Sequence, residues 1–365
     1  MQRLRAVLSV GLMLLAGCTG RPVSPTVPEA LDIGTPRTVF AATTRAEQPD
    51  RTFGPGRSRK LSLLELTVSI PPVRSPGTLI PASGSPDPRT QFAIAERRRF
   101  PDALGFNRRL RTAARSNGNG RDVTVFVHGF NATQSETAFR AAQLAQDIGL
   151  PGATAIYSWP SQGSPLGYAY DADSVLFARD GLEQFLRQIR AAGIDRTVLV
   201  AHSLGAQLTM EALRQIEIKT PGWASDNLGG VILMSPDLDI DVFKSQIAQF
   251  REVPQPFLVF VSRRDRVLTL SQRLRGRRSG ARLGNLGSLE SIAHLPVEVI
   301  DTTAYADTAE SGHFVAATSP ALIALLNAAR ATAQAFGREA GIEQLLPVRI
   351  ERQSKAVQVS LSVAR

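Results

Sequence analysis

The sequence predicts an α/β protein: a mainly parallel, doubly wound sheet with helices on both faces. Three observations carry that expectation. From residue 123 onward, short apolar runs alternate with amphipathic stretches of helical period, as in repeated βα units. Those runs are apolar along their whole length, as in parallel strands buried on both faces. Serine, histidine and aspartate residues fall just after the strands, where open α/β sheets bind their ligands.

The elements follow in order. MQRLRAVLSVGLMLLAGC places Arg3 and Arg5 before an apolar run from Ala6 to Ala16. That run is too short for a membrane span of about 20 residues, and its length fits the h-region of a secretory leader. The residues LAGC (15–18) resemble the bacterial lipobox. The resemblance implies a leader over 1–17 and a diacylglyceryl group on Cys18, so that two acyl chains or more hold the protein to a membrane. Thr19, in place of an aspartate, implies by the same resemblance the outer membrane, facing the periplasm. The plainer alternative is an ordinary leader with an incidental cysteine. As the chain has one cysteine, no intrachain disulfide is available.

Residues 18–36 carry Pro22, Pro25, Pro28 and Pro36 among small polar residues and read as a tether. An N-terminal extension over 37–118 follows, with strands at 37–45 and 61–70. Six prolines between 71 and 88 make the next stretch a long surface loop. A helix is expected over 102–114, and SNGNG (116–120) breaks the chain. In the core, 119–336, strands are expected at 123–127, 154–159, 197–201, 230–235, 257–262 and 297–301. Helices are expected over 134–148, 172–191, 204–217, 241–251 and 319–334, with a short one after 262. The tail from 337 to 365 contains one further candidate strand, 356–363.

Composition narrows the function. The net charge is +10, but only four of 42 basic residues are lysines and aromatics are 6%. Nucleic-acid binding predicts basic residues gathered on one element and interleaved with aromatics; here the arginines are scattered. No nucleic-acid partner is expected.

The stretch TVLVAHSLGAQLTMEAL (197–213) holds the chemistry. A buried strand turns into a helix at His-Ser-Leu-Gly, with Ala201 and Gly205 two residues either side of Ser203. A nucleophile elbow needs small residues there, because strand and helix approach closely and the turn lifts the hydroxyl clear. The competing reading makes Ser203 the N-cap of the helix.

A serine needs a base. His128 ends the 123–127 strand, His202 points away on its tight turn, and His294 lies at the wrong end of the sheet. His313 follows the last core strand and is the candidate base. A carboxylate must hold its tautomer; Asp265, after the 257–262 strand, is preferred. Asp237 and Asp239 are alternatives, which could instead cap the helix near Asp241. Backbone N–H groups for the oxyanion would come from Leu204 and, through the turn HGFN (128–131), from Phe130. The turn could also be no more than a packed aromatic.

The order Ser203, Asp265, His313, with HGF upstream, resembles the α/β-hydrolase superfamily over roughly 120–335. YSWPSQG (157–163) and SPDLD (235–239) resemble a little-characterised bacterial esterase/lipase-like group within it, which also carries an N-terminal extension. The resemblance implies a serine hydrolase that needs neither metal nor organic cofactor, and supplies no substrate; the leading expectation is a carboxylic-ester hydrolase acting on an acyl ester or lipid. An amidase or peptidase with the same triad, or a non-catalytic lipoprotein on the same fold, remain alternatives. Eight arginines lie between 263 and 282. They would favour anionic substrates if they rim the site, and are solvated surface otherwise.

Overall fold

The computed structural model describes residues 24–361, apart from 83, 117–120, 151, 275–280, 287–289, 309–312, 325–326, 328–347 and 354–355. The expected leader, Cys18 and most of the helix expected over 319–334 lie outside the described residues; helical backbone is present at 320–324.

Eleven strands form one sheet: β1 (Thr35–Glu47), β2 (Phe53–Ile70), β3 (Ala93–Phe100), β4 (Asp122–Val127), β5 (Ala153–Ser158), β6 (Arg196–His202), β7 (Leu228–Met234), β8 (Phe257–Val261), β9 (Glu298–Asp301), β10 (Val348–Gln353) and β11 (Ala356–Leu361). Their order is β10-β11-β9-β8-β7-β6-β4-β5-β1-β2-β3. Every neighbouring pair from β11 through β1 runs parallel. The antiparallel pairs β10–β11, β1–β2 and β2–β3 lie at the two ends.

The helices are α1 (Ala103–Ser116), α2 (Gln134–Asp147), α3 (Tyr168–Ala191), α4 (Leu204–Lys219), α5 (Trp223–Asn227), α6 (Ile240–Ile247), α7 (Arg266–Leu274) and α8 (Val315–Thr318). Successive side chains of a strand point to opposite faces. Val123, Val125 and Val127 of β4 thus join a core with Leu110 of α1, Phe185 of α3 and Leu213 of α4. Phe126 joins the opposite core, with Leu144 of α2 and Phe314. Burial on both faces explains the unbroken apolar runs of the central strands.

Two expectations need correction. The tether over 18–36 packs from Thr26 onward: Thr26 bridges to Ile94, the Val27 N–H donates to the Ile94 carbonyl, and Ala30 is fully buried. The extension over 37–118 is part of the sheet, because β1 pairs in parallel with β5 and so continues the core. Strand β3 corresponds to no expected element; it is an edge strand, where arginines are tolerated and discourage edge-to-edge pairing. The tail's strand is real, and β11 pairs with β9.

Candidate active site

The strand register brings the site together. Val127 pairs with Ala201, Ala201 with Leu233, Met234 with Phe260, and Val261 with Asp301. The carboxyl ends of β4, β6, β7, β8 and β9 are therefore level, and the loops leaving them share one edge.

Ser203 sits between β6 and α4 with φ 53° and ψ −122°. An L-residue there is strained by about 1–3 kcal/mol. It occupies the N-cap position, yet its hydroxyl makes no capping hydrogen bond, so the capping reading fails. Backbone bonds fix the turn instead. The Ser203 N–H donates to Met234 (3.1 Å), and the Ser203 carbonyl accepts from Ala206 (3.0 Å) and Asp237 (3.2 Å). A Cβ at Gly205 would collide with the carbonyl oxygens of His128 and Val127. One at Gly129 would lie 2.8 Å from the Ser203 Cβ. The small residues flanking the elbow are required by this close approach of the HGFN turn.

His313 and Asp265 come together across 48 residues: the imidazole Nδ1 lies 2.7 Å from the carboxylate Oδ2. Asp265 is buried, and its second oxygen accepts the Leu268 N–H at 3.0 Å, in the first turn of α7. The carboxylate is thereby aimed at the ring.

The other three histidines have different surroundings. His202 stacks on Phe314 with ring centroids 3.8 Å apart, and its ring centre is 4.8 Å from that of His313. Burial, then the nearby His313, hold its pKa well below the ordinary value, so it is a neutral wedge. His128 stacks on Trp159, its Nδ1 lies 2.8 Å from the Gly129 carbonyl, and burial pushes its pKa down to about 3. His294 is exposed, just before β9.

The alternative acids serve elsewhere. Asp239 caps α6, accepting from the N–H groups of Asp241 (2.9 Å) and Val242 (3.4 Å). Asp237 is buried and pairs with the buried Arg282 at 3.2 Å, while accepting from Tyr168 (2.7 Å) and Ser271 (2.8 Å). Neither contacts His313.

Leu204 is the first residue of α4, whose leading N–H groups have no intrahelical acceptor. Phe130 lies in the turn pressed against Ser203, its ring edge-on to Tyr168 at 5.5 Å. Leu204 directly follows the serine, and Phe130 directly follows Gly129, whose added Cβ would lie 2.8 Å from that of Ser203.

Part of this site was not anticipated. Arg45, near the end of β1, is buried under the HGFN turn with Ser158, Ser161 and Asp171. A lone arginine at a strand end reads as solvated surface, so nothing in the sequence marked it. Of the arginine run, Arg263 pairs with Asp301 at 2.9 Å, Arg264 pairs with Asp307, and Arg282 is buried. Arg275, Arg277 and Arg278 lie outside the described residues. Among the described residues, no group of three or more His, Cys, Asp or Glu could hold a metal ion, and no helix is long and apolar enough to cross a membrane.

Solved structures match this chain at low similarity. A predicted CIB-like hydrolase from Thermoplasma acidophilum matches at 18% identity, with 60% of this chain and 87% of that one covered and a TM-score of 0.32. An esterase from Pyrococcus furiosus matches at 10% identity over 78% and 87%, with a TM-score of 0.30. An esterase from Rhizomucor miehei matches at 14% identity over 85% of each, with a TM-score of 0.32. No curated protein matches the sequence. Residues 105–330, more than half of the chain, match the family described as alpha/beta hydrolase of unknown function (DUF900). With its level strand ends and its serine turn between β6 and α4, the chain belongs to that α/β-hydrolase family.

Proposed function

We propose that this α/β hydrolase cleaves carboxylic esters by a serine mechanism. The Ser203 oxygen attacks the acyl carbonyl carbon while Nε2 of His313 takes the hydroxyl proton. Asp265 holds the Nδ1–H tautomer and stabilises the imidazolium that forms. The N–H groups of Leu204 and Phe130 receive the oxyanion. Collapse breaks the ester C–O bond, the imidazolium protonates the departing alcohol, and water repeats the cycle on the acyl-enzyme. The observation that carries this reading is the 2.7 Å contact between His313 and Asp265, on the same sheet edge as the strained serine turn.

The leader-like N-terminus supports a place in the bacterial cell envelope, with lipid on Cys18 holding the enzyme at a membrane where acyl esters are concentrated. The test of the chemistry is labelling by a fluorophosphonate together with turnover of an ester chain-length series. Label on Ser203 and its loss in Ser203→Ala are expected. An unlabelled, inactive wild-type protein would overturn the reading, and turnover of amides but not esters would move it to the amidase class.

A further inference from the structure

The second oxyanion donor depends on where the HGFN turn lies, and that turn rests on a buried polar cluster. Arg45 contributes the cation. Its Nε donates to the Ser158 hydroxyl at 2.9 Å, one terminal nitrogen to the carbonyls of Ser161 (2.9 Å) and Gly54 (3.4 Å), and the other to the Ala132 carbonyl at 2.6 Å. Asp171, at the start of α3, contributes the anion. It accepts from the Ser161 hydroxyl at 2.5 Å, the Gln162 N–H at 2.6 Å and the Asn131 N–H at 3.2 Å. The Ser161 hydroxyl also accepts from the Ala132 N–H at 3.2 Å. The three peptides that follow Phe130 are thus held in order by an anion at the Asn131 N–H, a hydroxyl at the Ala132 N–H and a cation at the Ala132 carbonyl. Asn131 itself is left-handed, with φ 59°, a conformation that costs energy and persists where surroundings over-determine it.

A buried arginine is expensive to desolvate, and burial draws the Arg45 pKa down to about 10, still charged at neutral pH. Apolar packing would complete this part of the fold at lower cost. What the guanidinium adds is a fork of fixed geometry with several donors, here tying the carbonyl of Ala132, just after the HGFN turn, to Ser158 at the end of β5, to Ser161 just beyond it and to Gly54 on β2. Arg45 also lies in the N-terminal extension, outside the 105–330 segment that carries the serine, acid and histidine.

We propose that Arg45 is a positioning residue for the oxyanion hole, so that the N-terminal extension completes the active site by holding the turn that carries the Phe130 N–H. This rests on the serine-hydrolase reading. Losing one oxyanion donor costs about 10²–10³ in kcat; a donor displaced rather than lost should cost about 10–100-fold, with KM little changed. An interaction made mainly in the transition state has that signature.

The test compares wild type with Arg45→Lys, Arg45→Met and Ser161→Ala, measuring kcat, KM, melting temperature and the affinity of an alkylboronic acid, whose serine adduct places an oxygen in the oxyanion hole. The expected result is a fall in kcat ordered wild type, Arg45→Lys, Arg45→Met, with boronate affinity falling in step and KM nearly constant. Ser161→Ala, a milder change to the same turn, should show the same split and keeps the test open if an arginine variant does not fold. Folded variants with unchanged kcat and boronate affinity overturn the proposal while leaving the serine mechanism standing. A wild-type protein that neither turns over esters nor binds the boronate overturns both.

Discussion

Nδ1 of His313 lies 2.7 Å from Oδ2 of Asp265, while Asp237 spends its carboxylate on Arg282, Tyr168 and Ser271. The two aspartates therefore predict different defects. Asp265→Asn should lower kcat by on the order of 10⁴, because the amide favours the wrong imidazole tautomer and cannot stabilise imidazolium. Asp237→Asn should cost stability instead, up to about 3 kcal/mol, by leaving a buried guanidinium without its counter-charge. Steady-state kinetics and chemical denaturation on both variants check this. A dead but fully stable Asp237→Asn would reverse the assignment.

Ser203 combines a strained backbone with a hydroxyl that caps nothing. Ser203→Gly should abolish turnover and raise stability by about 1 kcal/mol, the relief of strain reduced by the entropy a glycine loses on folding. Ser203→Ala should be equally inactive without that gain. Thermal melts of the three proteins decide it, and a destabilised glycine variant would argue against strain at the elbow.

Two buried neutral histidines make the fold sensitive to acid. Burial lowers the folded pKa of His128 to about 3 and holds that of His202 well below its ordinary value of 6.5. The unfolded chain therefore binds more protons as pH falls. The stability from keeping these rings neutral is complete above pH 6.5 and is lost on acidification towards the folded pKa values, at up to about 1.4 kcal/mol per pH unit for each ring. Unfolding free energy measured from pH 7.5 to 4.5 should slope less steeply in His128→Gln than in wild type. An identical slope in the two proteins would contradict it.

The envelope proposal makes Cys18 decisive. Cys18→Ser should accumulate as unprocessed or soluble protein, and the wild-type N-terminal peptide should carry acyl mass. Wild-type protein found wholly in the soluble periplasmic fraction without that mass would rule out the anchor.

The arginine run is a weaker attractor than its sequence suggests, since Arg263 and Arg264 face Asp301 and Asp307 and Arg282 is buried with Asp237. Matched anionic and neutral esters of equal acyl length should differ in kcat/KM by less than about tenfold at low salt, below the range of strong electrostatic steering. A larger preference that fades as salt rises would restore the rim.

The sequence by itself determined the βα alternation and the turn at Ser203. Both are local: a buried parallel strand must be apolar throughout, and an elbow must be flanked by small residues, so each leaves a mark within a few positions. It also made His313 the candidate base, since His128 ends the 123–127 strand upstream of the serine, His202 points away on its tight turn and His294 lies at the wrong end of the sheet. Only the tertiary structure showed which of Asp265 and Asp237 meets His313, because both follow strands whose carboxyl ends are level and their loops differ in what they meet. One carboxylate reaches an imidazole, the other a buried guanidinium. Likewise Arg45 and the arginines of β3 were invisible as structural residues. A charge reads as solvent-facing until its partners are known, and the partners of Arg45 at Ala132, Ser158 and Ser161 lie 87 to 116 positions away, brought near only when β1 pairs with β5.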